Sequence, residues 1–171
     1  RGNQYIITNF PNPDSVEGYK MFKPDKNRLF TENVDDDYIA LTQYPSYATD
    51  PEFQNEATRS DFFFRTKIRF LRHYQKKAVK AIQKAVAEKK DRFLFEMATG
   101  TGKTLTSAAV IKLFLRTGNT RRVLFLVDRL ELEDQAKKAF DEYLRNDYKT
   151  VIYKENRDDW RKAEIVVTTV Q

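Results

Sequence analysis

The stretch that most constrains the fold of this 171-residue chain is a glycine-containing turn followed by Lys-Thr, residues 100–104 (Gly-Thr-Gly-Lys-Thr). It follows a short apolar run at residues 93–97, which is typical of a buried strand, and precedes residues 105–116, whose composition predicts a helix. In such a turn consecutive backbone N–H groups point inward, and the positive end of the helix dipole faces the same place. The pattern therefore predicts a loop that binds phosphate groups.

Each residue type in the loop suits contact with a polyphosphate. Gly100 and Gly102 let the backbone approach the phosphate oxygens, because no Cβ lies in the way. Thr101 lies between them and contributes its backbone N–H group. Lys103 supplies a positive charge to the β- and γ-phosphates, and the hydroxyl of Thr104 can ligate Mg²⁺. We therefore expect these five residues to bind the nucleotide, with Lys103 and Thr104 as the catalytic pair.

Residues 66–171 alternate between helical and strand patterns. The patterns predict helices over residues 73–90, 103–116 and 128–144, and strands over residues 122–127, 150–153 and 165–170. Alternation at this spacing implies βαβ units and a parallel sheet. We therefore expect an α/β domain with a central parallel sheet flanked by helices, which residues 66–171 cover incompletely.

Residues 1–65 follow no helical or alternating period, although they are rich in aromatic side chains. We expect an irregular linker, or the end of a preceding domain. Residues 1–60 hold six Lys and Arg against ten Asp and Glu, whereas the rest of the chain holds 25 against 15. This basic excess favours binding to a polyanion, and a solvated lysine-rich surface explains it equally well.

Composition excludes several classes of protein. The chain has no cysteine, so it has neither a disulfide framework nor a thiolate metal site. Its apolar runs are too short to cross a bilayer, and its start does not read as a signal peptide. We therefore expect a cytoplasmic protein with no membrane partner. The first residue is not Met and the last follows a strand-like run, which we interpret as an excerpt of a larger protein.

The loop, with Met97 in place of the first consensus glycine, resembles motif I of superfamily 2 helicases and translocases. Upstream, Arg-His-Tyr-Gln at residues 72–75 is similar to the Q motif of that family. The resemblance implies a RecA-like P-loop domain that binds ATP with Mg²⁺. It also implies that the amide of Gln75 reads the edge of adenine.

Two later segments extend the resemblance. Val-Asp-Arg at residues 127–129 is similar to motif Ia, and Val-Thr-Thr-Val-Gln at residues 167–171 is similar to the motif Ib/Ic region. In the family both segments touch the phosphate backbone of nucleic acid. The resemblance thus implies that Arg129, Thr168 and Thr169 bind DNA.

Over residues 68–171 the amino-acid sequences of these motifs most resemble those of the motor (R) subunit of type I restriction enzymes. That resemblance implies ATP-driven translocation along double-stranded DNA, coupled to cleavage by a nuclease domain elsewhere in the subunit. It also implies methyltransferase and specificity subunits as partners. After motif I the sequence contains no Walker-B carboxylate at a strand end, so we expect these 171 residues alone to bind nucleotide weakly without hydrolysing it.

Other classes remain open at this point. Another superfamily 2 helicase, such as a type III restriction subunit or an excision-repair helicase, would share the loop. A P-loop kinase or nucleotide switch usually keeps glycine at the position of Met97 and does not need Tyr74 and Gln75. A DNA-binding module with a degenerate ATP site is disfavoured by the intact Gly-Lys-Thr at residues 102–104.

Overall fold

The computed structural model describes residues 4–8, 26–35, 37–155 and 160–169. Its sheet has four strands, β1 (Gln4–Thr8), β2 (Val123–Val127), β3 (Thr150–Ile152) and β4 (Ile165–Thr169). They lie in the order β1–β2–β4–β3, in which β2, β4 and β3 run parallel and β1 pairs with β2 in the antiparallel direction. The predicted α/β class with a parallel sheet is confirmed for β2, β3 and β4.

Helices account for most of the remaining described residues. The three helices predicted between residues 73 and 144 form, as do the strands predicted over residues 122–127, 150–153 and 165–170, with ends that differ by a few residues at most. The helices are α1 (Lys26–Thr31), α2 (Ala40–Gln43), α3 (Pro51–Gln54), α4 (Glu56–Thr66), α5 (His73–Ala87), α6 (Lys103–Arg116) and α7 (Leu130–Leu144). Short 3₁₀ turns lie at Tyr47–Thr49 and Trp160–Lys162.

Helix α6 lies at the centre of the main core. It is apolar on most of its surface, as expected for a helix buried against a sheet, and it packs against α5 and α7. Behind it, the rings of Phe125 on β2 and Phe140 on α7 meet edge to face, with centroids 4.8 Å apart. Gly118 follows the helix with φ +69°, the left-handed conformation in which glycine commonly ends a helix. This packing fixes the direction in which the first turn of α6 points.

The strand predicted over residues 93–97 does not form. Residues 91–98 have no regular secondary structure, and the side chain of Leu94 is 95% exposed. Only Phe93 of this run packs against the main core. A strand needs a neighbour for its backbone hydrogen bonds. β2 already has β4 on one side and β1 on the other, so its edges are closed to this run.

The expectation of an irregular segment over residues 1–65 does not hold for residues 26–35 and 37–65, which contain α1 to α3 and most of α4. Residues 1–3, 9–25 and 36 lie outside the described residues. Leu29, Tyr38 and Ile39 belong to the same core as α5, α6 and the sheet. A second core gathers the aromatic side chains that the sequence scatters without a period. Its buried members are Ala40, Tyr47, Phe62 and Ile68, and Tyr44, Phe53, Phe63 and Phe70 pack around them. The boundary between residues 65 and 66 stays a prediction.

A buried lysine ties this preceding segment to α6. The Nζ atom of Lys112 donates hydrogen bonds to the Tyr38 carbonyl and the Thr42 hydroxyl, and it lies 4.6 Å from the centre of the Tyr38 ring. The side chain is 1% exposed, and burial lowers the pKa of Lys112 to about 8. Residues 38–42 are therefore attached to the same helix whose first turn follows the glycine loop.

We expect Lys112→Met to remove part of the pH dependence of stability. The pKa of Lys112 is about 8 in the folded chain and 10.5 ordinarily, so the unfolded chain binds more protons between these values. The contribution of Lys112 to the free energy of unfolding therefore rises as the pH increases from about 8 to 10.5. The unfolding free energy of the wild type should rise by about 1 kcal/mol from pH 8 to pH 9 relative to Lys112→Met. Urea unfolding at both pH values checks this, and equal changes in the two proteins would contradict it.

Candidate nucleotide-binding site

The glycine turn lies immediately before helix α6, as the sequence predicts. Gly100 and Gly102 have φ +80° and +81°, the left-handed region that favours glycine. Between them the backbone N–H and the hydroxyl of Thr101 both donate to the Ala98 carbonyl, at 3.4 and 2.6 Å. The first N–H groups of a helix lack acceptors within the helix, and no side chain caps the start of α6. The Thr101 N–H, expected to contribute to phosphate binding, is thus engaged within the turn, and the start of the helix presents donors to an anion.

Lys103 directs its ammonium back over this loop. The Nζ atom lies 3.2 Å from the Ala98 carbonyl oxygen and 3.4 Å from that of Met97. Hydrogen bonds from an ammonium to anionic oxygens are stronger than those to neutral carbonyls. A phosphate group enclosed by the loop would thus offer this ammonium better acceptors than the carbonyls do.

Thr104 is the second residue of α6 and is partly exposed. Within the described residues no group of three or more His, Cys, Asp or Glu side chains could hold a metal ion. The hydroxyl oxygen of Thr104 is a hard ligand of the kind that suits Mg²⁺, which would arrive with a nucleotide. This ligand assignment stays a prediction.

The first turn of α5 is bonded to the loop. The Oε1 atom of Gln75 accepts the backbone N–H of Arg72 at 2.9 Å, and its Nε2 atom donates to the carbonyls of Thr101 and Gly102 at 3.0 and 3.4 Å. The hydroxyl of Tyr74 also donates to the Thr101 carbonyl, at 2.9 Å. The structure thus brings the Q-motif residues and the loop together. Adenine reading by Gln75 stays a prediction.

A cavity of about 390 Å³ opens beside the loop on the side of Gln75. It is large enough for part of a nucleoside, since small-molecule sites run from about 300 to 1,000 Å³. Its walls include Arg72, Gln75 and the loop. Arg69, Phe70 and Tyr143, which the sequence analysis did not single out, also line it.

The residues expected to bind DNA lie at or just after the carboxyl ends of the two central strands, β2 and β4. The register pairs Val127 with Thr169, so parallel strands β2 and β4 end side by side. Arg129 follows β2 at the start of α7 and is exposed. Thr168 is partly exposed and Thr169 is buried. Val170 and Gln171, the last residues of the expected Ib/Ic segment, lie outside the described residues.

The α/β fold and the loop define a nucleotide-binding domain, and comparison with known proteins gives its class. Residues 69–171 match the family described as "Type III restriction enzyme, res subunit". This match covers more than half of the chain, so the chain belongs to that family. It carries a helicase-type domain of a restriction enzyme.

Curated relatives confirm the resemblance to type I restriction enzymes. The chain is 44% identical over 72 residues to the EcoKI endonuclease subunit of Escherichia coli K12, which is 42% of this chain and 6% of that protein. It is 44% identical over 66 residues to the EcoAI endonuclease subunit of Escherichia coli, which is 39% of this chain and 8% of that protein. It is 28% identical over 106 residues to the SsaAORF53P endonuclease subunit of Staphylococcus saprophyticus, and this alignment covers 59% of this chain and 11% of that protein.

The aligned regions are a small part of each of these relatives, at 6 to 11% of their lengths. No solved structure matches the chain. Among the described residues no helix is both long enough and apolar enough to cross a membrane.

Proposed function

We propose that this chain is the first part of a RecA-like motor domain, from the endonuclease (R) subunit of a type I restriction enzyme. In that role it binds ATP and drives translocation along double-stranded DNA. The observation that carries the proposal is the left-handed glycine turn of residues 100–102, with the Lys103 ammonium folded over it, in a chain of the restriction family.

The loop residues have distinct parts in ATP binding. The N–H groups of the turn and of the first turn of α6 bind the phosphate oxygens. Lys103 places its charge against the β- and γ-phosphates, and Thr104 ligates the metal that ATP brings. Mg²⁺ supplies charge neutralisation on the transferring phosphate when it is bound. The cavity between residues 69–72 and Tyr143 holds the nucleoside.

In this proposal DNA binds at the carboxyl ends of strands β2 and β4. The Arg129 guanidinium and the hydroxyl of the partly exposed Thr168 hold phosphates without reading bases, whereas Thr169 is buried beside them. The basic excess after residue 60 supports a polyanionic partner. Sequence recognition then belongs to a specificity subunit, with a methyltransferase subunit in the same complex.

The proposal predicts that the intact protein hydrolyses ATP faster when duplex DNA is present. Arg129→Ala should weaken DNA binding to a similar extent for unrelated sequences and lower the salt dependence by about one phosphate contact. Binding titrations with two unrelated duplexes at several salt concentrations measure both effects. Lys80→Ala is the matched control, because Lys80 is exposed on α5, away from these strand ends. Absence of stimulation by DNA would contradict the motor function.

A type III restriction motor subunit is the second candidate, since the matching family carries that description. Purification of the intact protein with its partners discriminates the two, because type I assembly requires a separate specificity subunit. The 171 residues on their own should show no appreciable DNA-stimulated ATP hydrolysis in either case.

A further inference from the structure

The end of helix α2 connects two walls of the cavity beside the glycine loop. We infer that the last residue of this helix, Gln43, is a positioning residue for ATP binding, because it holds these walls together although it does not line the cavity itself. This inference rests on the proposed ATP-binding function and extends the ATP site into the segment that precedes residue 66.

The first wall is the segment between α4 and α5. Residues 67–72 have no regular secondary structure, and four of them line the cavity: Ile68, Arg69, Phe70 and Arg72. Buried backbone groups outside helices and strands need partners of another kind. The N–H of Arg69 donates to Oε1 of Gln43 at 2.6 Å, which ties the middle of this segment to α2.

The second wall is Tyr143, in the last turn of α7. The residues just beyond this helix reach back to α2, where Nη2 of Arg145 and Nδ2 of Asn146 donate to the Gln43 carbonyl at 3.0 and 3.3 Å. The last carbonyls of a helix have no partner within the helix, so these donors satisfy the end of α2. Gln43 is therefore bonded through its side chain to the first wall, and through its backbone to the end of the helix that carries the second.

Burial makes the side-chain contact of Gln43 costly to lose. The residue is 3% exposed, and a buried N–H left without its acceptor costs more than the hydrogen bond contributes when it is formed. Without Oε1, the Arg69 backbone should therefore move towards another acceptor. Phe70 remains packed edge to face against Tyr47 and Phe63, with centroids 5.3 and 6.0 Å away, so we expect the wall to shift without unfolding.

The residue before Gln43 fixes α2 relative to the glycine loop. The Thr42 hydroxyl accepts a hydrogen bond from Nζ of the buried Lys112, and Asn146 donates to the Thr42 carbonyl at 2.6 Å. Lys112 lies on α6, whose first turn follows the loop. Gln43 thus holds the two walls in a fixed position relative to the phosphate-binding end of the site.

Two substitutions at Gln43 separate its acceptor from its volume. Gln43→Met removes Oε1 and keeps a side chain of similar size, whereas Gln43→Glu keeps an acceptor for the Arg69 N–H. Gln83→Met is the matched control. Gln83 is also buried, and its Nε2 donates to the carbonyls of Leu29 and Glu32 in the same preceding segment, at 3.0 and 2.8 Å. These three residues do not line the cavity.

The test measures ATP binding and steady-state hydrolysis by the intact protein with duplex DNA. Gln43→Met should raise the dissociation constant and KM for ATP by about tenfold. Its kcat at saturating ATP should stay at the wild-type value, because Gln43 touches none of the reacting atoms. Gln43→Glu should restore the affinity to within about twofold of wild type, and Gln83→Met should not change it.

Unchanged ATP affinity in Gln43→Met would overturn this inference, and so would an equal loss in Gln83→Met or in Gln43→Glu. A wild type that bound no ATP would instead overturn the proposed function itself. The two failures are therefore distinguishable.

Arg145→Ala keeps the inference testable if Gln43→Met disturbs folding. Arg145 is exposed, and its substitution removes one of the two side chains that hold the Gln43 carbonyl. ATP affinity should fall by about threefold, whereas Lys138→Ala, which removes an exposed cation from the same helix, should leave it unchanged. Equal affinities in these two variants would contradict the link between Gln43 and the second wall.

Hydrogen exchange without nucleotide reports on the contact directly. The Arg69 amide should exchange faster in Gln43→Met than in the wild type, in Gln43→Glu or in Gln83→Met, because only Gln43→Met lacks the acceptor. Equal exchange in all four proteins would overturn the inference.

Discussion

Lys103→Ala is expected to lower the rate of ATP turnover by the intact protein by about 100- to 1,000-fold. The Lys103 ammonium is held over the loop by the carbonyls of Met97 and Ala98, where the proposed function sets it against the phosphate that accumulates charge during transfer. Removing a preorganised charge from such a position costs far more than removing an exposed one. Steady-state ATP hydrolysis with saturating duplex DNA measures the effect.

DNA binding by Lys103→Ala should persist, since the residues proposed to hold DNA follow β2 and lie at the end of β4. Lys80→Ala, which removes an exposed lysine from α5, should keep wild-type turnover. ATP turnover that survived Lys103→Ala would show that the glycine loop is not the catalytic ATP site.

The helices and strands that the sequence predicts correctly are recognised from the composition and apolar pattern of their own residues. Residues 105–116 are apolar on nearly every side, and residues 123–127 form a short apolar run bounded by polar residues. The glycine turn can also be recognised from its own residues, because Gly100 and Gly102 have positive φ angles that favour glycine.

The errors share a non-local cause. The apolar run at residues 93–97 reads as a strand, but pairing depends on which segments border β2, and composition does not encode that. The helices of residues 26–66 span four to eleven residues, too short for most of them to show a helical period. Their aromatic side chains are buried by one another, and the sequence does not show which ones meet.

The candidate site shows the same difference between residues that are adjacent in sequence and residues that only the fold brings together. The proposed phosphate-binding half lies in five consecutive residues, so its position is readable from the sequence, and its role stays a prediction. The cavity beside it joins the segment at residues 69–72, which precedes α5, to Tyr143 on α7, about 70 positions further along the chain. No spacing rule connects those residues, so only the packing of α7 against the rest of the domain reveals them.

Gly102→Ala is expected to weaken ATP binding by about 100-fold, from backbone strain of about 1–2 kcal/mol together with loss of the Gln75 contacts. Gly102 has φ +81°, a conformation that alanine adopts at a cost, and its new Cβ would displace the Gln75 amide. Gly100→Ala is the matched control. It carries the strain of φ +80° but meets no neighbour, so it should weaken binding by about tenfold.

Combining Gly102→Ala with Gln75→Ala separates strain from contact. Gln75→Ala alone should weaken ATP binding by about tenfold, because it removes the hydrogen bonds to the Thr101 and Gly102 carbonyls. If the two substitutions acted independently, their effects on ATP affinity would multiply to about 1,000-fold. We expect the double variant to bind ATP about as well as Gly102→Ala alone, because the added Cβ has already moved the amide that Gln75→Ala removes. Gly100→Ala combined with Gln75→Ala should instead show multiplied effects, since the Gly100 Cβ position is open. Multiplied effects at both glycines would mean that the amide and the Gly102 peptide are not in contact in solution.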